Sequence, residues 1–128
     1  HFRAAAETTL RWSAARLERS GPAMPAMLSA LDMLLDKPRQ VIVVRAPDDA
    51  ALPLMAEIRK AYLPNRIIVE VDDGEPVKAL KALVPAVAQK FAQGGKTTAY
   101  VCEGGRCQRP TSDPKVLAQQ LKGAHPYP

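Results

Sequence analysis

The spacing of apolar residues changes period along the chain, and each change marks an element. Phe2, Ala6, Leu10, Ala14 and Leu17 recur at helical intervals, which predicts an amphipathic helix from about Phe2 to Arg19. Ser20-Gly21-Pro22 stops it, because Gly and Pro punctuate helices most strongly. Met24, Met27, Leu28, Leu31 and Leu34 form the stripe of a second helix, from about Ala23 to Leu35, with Pro25 accommodated in its first turn. So short a connection predicts an antiparallel helical hairpin. Methionines at this spacing read as core filling.

After Asp36-Lys37-Pro38-Arg39 the pattern becomes continuous. Val41-Ile42-Val43-Val44 is an unbroken β-branched run, the mark of a strand buried on both faces. Asp48 and Asp49 are placed to cap a following helix with Leu52, Met55, Ile58 and Tyr62, and Pro53 suits its first turn. A second strand covers Arg66 to Val71. The turn Asp72-Asp73-Gly74-Glu75-Pro76 leads into helical spacing at Val77, Leu80, Leu83 and Val84, which Pro85 ends or kinks. Val87, Ala88 and Phe91 add a further helical turn before Gly94-Gly95. A third strand runs from Thr97 to Cys102, and Asp113-Pro114 reads as N-cap and first position of a last helix bearing Val116, Leu117 and Leu121. Gly123 closes that helix.

The expected fold class is therefore α/β. A helical hairpin over residues 1–37 precedes a small three-stranded, mostly parallel, Rossmann-like sheet in β-α-β-α-β-α order over residues 38–123, and residues 124–128 form a tail. A third strand running antiparallel at an edge is the alternative.

Composition narrows the function classes. A length of 128 residues suits one compact domain, and 47% apolar with 24% charged residues is a globular balance. Aromatics at 5% leave the core to Leu, Val, Ile and Ala. No apolar run approaches the roughly 18 residues of a membrane span, and Arg3, Glu7 and Arg11 interrupt any secretory signal, so a cytoplasmic location is expected. The chain opens on His1 instead of Met, which suggests a piece of something longer. The net charge of +5 and pI near 9.5 invite a nucleic-acid partner. The ten Arg and eight Lys are dispersed, however, with acids beside nearly every cluster and no interleaved aromatics. Neither nucleic acid nor membrane is expected as a partner.

Candidate chemistry is sparse. No G-x-G-x-x-G or G-x-x-x-x-G-K-[ST] follows a strand; Arg45-Ala46-Pro47-Asp48 stands where such glycines would be. Glu70, Asp72, Asp73 and Glu75 read as a solvated turn, and His1 and His125 sit in the termini, where no triad can rest. No catalytic residue, metal site or cofactor is assigned. Cys102 and Cys107 remain as a candidate redox or disulfide pair, with Gly104-Gly105 between them to make a tight turn through a positive φ. Independent buried or packing cysteines are the leading reading, the pair is the alternative, and a metal site is the least favoured of the three. Arg45 and Arg109, expected near strand ends, are candidates to meet an anion or nucleotide.

Thr98-Ala99-Tyr100-Val101-Cys102, then Cys107, Pro110 and Asp113, resembles the C-terminus of the YyaL-type, spermatogenesis-associated, thioredoxin-domain-containing proteins, and Ala61-Tyr62-Leu63-Pro64-Asn65-Arg66 resembles a second stretch of that family. Arg45 departs from the Gly expected after the first strand, which puts a ligand role for that loop in doubt. The resemblance implies a long parent protein with a thioredoxin-like domain, an α/α toroid similar to N-acylglucosamine 2-epimerases and six-hairpin glycosidases, and a small α/β end. Phe2 to Leu35 would be the last toroid hairpin, and residues from about Gln40 the C-terminal domain. The parent's presumed chemistry, on sugars or thiols, would lie upstream. The expected function is a non-catalytic accessory or packing domain whose partner is the rest of that parent, with self-association through the hairpin as a further candidate. A redox domain using the cysteines and an anion-binding module are the alternatives.

Overall fold

The structure is a computed structural model that describes residues 2–36 and 38–122. The expected tail, Gly123, His1 and His125 lie outside the described residues. The chain divides into two units between residues 37 and 38.

The first unit is helical: α1 (Phe2–Ser20), a single 3-10 turn (Gly21–Ala23) and α2 (Pro25–Leu35). The buried face of α1 is Leu10, Ser13 and Leu17, whereas Phe2 is 88% exposed. Its stripe is thus rotated from the expected line through Phe2, Ala6 and Ala14. Ser13 can occupy it because its hydroxyl donates to Thr9 O at 2.9 Å, which leaves no unsatisfied group behind. Leu28 lies over Gly21, which breaks the helical run. No residue of α2 is fully buried, and Met24, Met27, Leu31 and Leu34 are half-buried.

The second unit is built around β1 (Arg39–Arg45), followed by α3 (Leu52–Lys60), β2 (Arg66–Asp72), α4 (Glu75–Leu80), a 3-10 turn (Pro85–Val87), β3 (Thr98–Glu103), β4 (Arg106–Cys107) and α5 (Pro114–Lys122). The sheet order is β2-β1-β3-β4. Strand β1 is parallel to β2, with Val41 opposite Ile68, and antiparallel to β3, with Ile42 opposite Tyr100. Successive side chains of β1 enter opposite layers. Val41 and Val43 join Ala99 and Val101 beneath Leu54, Met55 and Ile58 of α3 and Leu117 and Leu121 of α5. Ile42 and Val44 join Val71, Tyr100 and Cys102 beneath Val77 of α4 and Val87.

This arrangement overturns the three-stranded, mostly parallel, Rossmann-like sheet. The sheet is mixed, has four strands, and contains one parallel pair. The reason lies between β2 and β3. A parallel crossover needs a helix long enough to carry the chain back along the strand. Helix α4 stops at Leu80, and a turn and Pro85 follow, so six helical residues advance only about 9 Å. The chain therefore enters β3 at Thr98, opposite Val44, from the end of the sheet that β1 has just left. The extra strand β4 is too short for alternation to reveal.

Ile42 is fully buried at the sheet centre, while Ile67 on the edge strand is 37% exposed. We expect Ile42→Ala to lower unfolding free energy by about 2–4 kcal/mol in urea titration, and Ile67→Ala by under about 1 kcal/mol. Equal losses at the two positions would contradict the central placement of β1.

Candidate functional site

Each end of β1 carries a polar cluster. At its start, Arg39 is 6% exposed, and its backbone N–H donates to Asn65 O at 3.0 Å. Its guanidinium donates to Glu103 Oε2 at 2.8 Å and to Leu121 O and Gln120 O at 3.1 and 3.3 Å. Those carbonyls belong to the last turn of α5, which lacks intrahelical donors and carries the negative end of the helix dipole. One buried cation thus joins β1, β3 and α5.

Beside it lies the β3–β4 hairpin. Glu103 ends β3 and Arg106 begins β4, so Gly104 and Gly105 form a two-residue loop, with φ of +56° and +81°. Positive φ at both central residues is the requirement of a type I′ turn, which glycine meets without a Cβ clash. The turn sets Cys102 directly opposite Cys107, and the two sulfurs are joined at 2.12 Å, with the Cα atoms 3.9 Å apart. Cys102 is 4% exposed in the layer with Ile42 and Tyr100, whereas Cys107 is exposed. Glu103 is engaged by Arg39, while the exposed guanidiniums of Arg106 and Arg109 have no partner among the described residues.

The other end of β1 holds Arg45. It donates to Asp72 Oδ1 at 2.7 Å and approaches Glu70 Oε1 at 3.6 Å. These groups, with Asp49, Leu52, Met55 and Arg59, line an open cleft of about 320 Å³ beyond the carboxyl ends of β1 and β2. Arg45 and Arg109 do not converge. Arg45 turns toward β2, whereas Arg109 follows β4 along the far side of β3, where its carbonyl accepts Gln120 Nε2 at 2.7 Å. Two carboxylates already surround Arg45, so a shared anion between these arginines has no geometric basis.

The acidic turn disperses as well. Asp73 accepts from the N–H groups of Gly74 and Ala92, and Glu75 pairs with Lys78 at 2.6 Å. No group of three or more His, Cys, Asp or Glu suited to a metal occurs among the described residues. Asp49 does not cap α3. Its Oδ2 accepts the Thr97 N–H at 2.6 Å, and its carbonyl accepts the Thr97 hydroxyl, which ties the β1–α3 loop to the start of β3. Asp113 does cap α5, accepting the Lys115 N–H at 2.7 Å. Tyr100 donates to Phe91 O at 2.7 Å, and Lys90 Nζ sits 5.4 Å from its ring centroid; partial burial pushes the Lys90 amine below its ordinary pKa of 10.5. No helix among the described residues is long and apolar enough to cross a membrane.

The roles of Arg39, Glu103 and Thr97 were not foreseen from the sequence. An Arg two residues ahead of the unbroken run Val41–Val44 was the one available signal for Arg39, since burial there demands several acceptors.

The chain is similar to human spermatogenesis-associated protein 20. Over 109 residues the chain is 30% identical to it, which relates the two, and the match takes in 83% of this chain but 14% of that protein. No family model and no solved structure matches the chain.

A Cβ at Gly105 would meet nothing within 4 Å, so a side chain there is opposed by its backbone angle alone. We expect Gly105→Val to lower unfolding free energy by about 1–2 kcal/mol, and Gly105→Asn by clearly less, since Asn tolerates the left-handed region. Thermal or urea unfolding of both variants measures this; equal losses would shift the cause away from φ.

Proposed function

We propose that this chain is a non-catalytic accessory module that packs against the remainder of a larger protein. One observation carries the reading: the apolar groove beside the open edge of the sheet. Among the described residues, strand β2 has a neighbouring strand on one side only. Along it, Ile42, Ile67, Val69, Leu83, Val84 and Pro85 line a groove of about 330 Å³. Leu83 is 82% exposed, and Ile67 and Ile68 are each 37% exposed. A lone exposed Leu needs no explanation, but one beside an apolar groove and an unpaired strand edge suits a protein surface. The longer relative supports a covering partner of that kind, because the match accounts for 14% of its length. The α/α toroid, the thioredoxin-like domain and the origin of α1–α2 as the last toroid hairpin belong to this same reading.

The test is association in trans. The 128-residue chain is added to the separately expressed remainder of its longer polypeptide, and binding is followed by calorimetry or co-purification. We expect binding, and a loss of at least about tenfold with Ile67→Asp plus Leu83→Asp, as for a contact at the centre of an interface, while the variant's own unfolding midpoint moves little. Absence of binding, or a variant that binds as well as the parent sequence, sinks the accessory reading. A chain that forms stable dimers through α1–α2 would instead favour self-association.

A further inference from the structure

We propose that Cys102 and Cys107 form a thiol–disulfide exchange site for a dithiol, with Cys107 as the sulfur attacked and Cys102 as the leaving thiolate. This goes beyond the accessory role and stands independently of it. Three observations carry it.

The two sulfurs differ in access. Cys102 is 4% exposed and held in a core layer, whereas Cys107 is exposed on β4, an edge strand of two residues with no strand beyond it among the described residues. An incoming thiolate therefore meets Cys107 Sγ first. The bond is also poorly placed as a staple. Its sequence separation is 5, at the short end of the loop lengths that give a disulfide its stabilising effect, and the type I′ turn already closes the same hairpin. Finally, the local charge suits the reaction. Glu103 is engaged by the buried Arg39, while Arg106 and Arg109, one residue before and two after Cys107 in sequence, carry exposed guanidiniums with no partner among the described residues. Neighbouring guanidiniums favour the attacking thiolate and the Cys107 thiolate released in the second displacement.

The exchange runs in two displacements. A thiolate of the dithiol attacks Cys107 Sγ, the Cys102–Cys107 bond breaks, and Cys102 leaves as a thiolate that takes up a proton. The second thiol of the dithiol, after losing a proton, attacks its partner sulfur in the mixed disulfide and releases Cys107 as a thiolate. Two electrons pass to the cysteine pair, and the dithiol becomes a disulfide.

The test uses the whole chain, with dithiothreitol as the dithiol and glutathione as a monothiol. Maleimide mass shifts on the air-oxidised chain are expected to show no label before reduction and two labels after it; free labelling beforehand overturns the proposal. Reduction in native buffer is expected within about tenfold of the rate in denaturant. A native rate slower than that marks a buried structural staple and overturns it. When the reduced chain is labelled by a substoichiometric reagent and mapped by peptide mass, Cys107 is expected to lead Cys102 by about tenfold; equal or reversed order overturns the assignment, and this readout requires no variant to fold. Arg106→Gln with Arg109→Gln is expected to slow attack by glutathione about threefold at low salt and not at 1 M salt. An effect unchanged by salt, or none, removes the charge argument and overturns the proposed site chemistry.

Discussion

The α/β unit depends on four residues that water does not reach. Val41, Ile42, Val43 and Val44 each have no exposed surface, and they alternate between two layers, so a single strand contributes to both halves of the core. A strand buried this completely must satisfy its backbone on both edges, since an orphaned N–H or C=O there has no solvent to turn to. Strands β2 and β3 meet that requirement from opposite sides, one parallel and one antiparallel. The helices then follow from which layer each β1 side chain enters. Two helices cover Val41 and Val43, while one short helix and a 3-10 turn cover Ile42 and Val44.

Apolar burial does not fix where a strand starts and stops; polar contacts at its two ends do. At one end Arg39 spends its guanidinium on Glu103 and on the carbonyls closing α5. At the other, Ala46 N–H donates to the Thr97 hydroxyl at 3.2 Å while Thr97 N–H donates to Asp49. Both sets link residues far apart in sequence. They penalise register slips, because a shift of one residue would bury an unpaired guanidinium or an unpaired threonine.

Local signals were legible in the sequence, and non-local ones were not. The β-branched run of β1, the Asp113-Pro114 start of α5, the break at Ser20–Pro22 and the glycine turn after β3 each rest on a few neighbouring residues, and the structure carries all four. The direction of β3 depended on how far the chain travels after Pro85, which periodicity does not encode. Strand β4 has two residues, fewer than any alternation pattern needs. The phase of α1 was misjudged because Ala6 and Ala14 carry little apolar weight, and Ser13 buries itself by bonding back to Thr9. For the site, the cysteine spacing was readable. The Arg39–Glu103 pair beside it was not, as its partners are 64 residues apart.

The two edges of the sheet are built for different company. On the β4 side the edge is two residues long, covalently tied to its neighbour, and flanked by unpaired arginines. So short and charged an edge disfavours strand pairing and leaves one sulfur open to a small reacting group. On the β2 side the edge runs for seven residues, with an apolar groove along one face and Glu70 and Asp72 along the other. A surface of that length and polarity suits a macromolecule lying alongside it. Because β1 and β3 separate the two edges, a partner seated on β2 leaves the Cys107 sulfur exposed. The proposed packing against β2 and the proposed exchange at Cys107 therefore use opposite edges of one small sheet, and the central strand, whose Ile42 also lines the groove, holds the two edges apart.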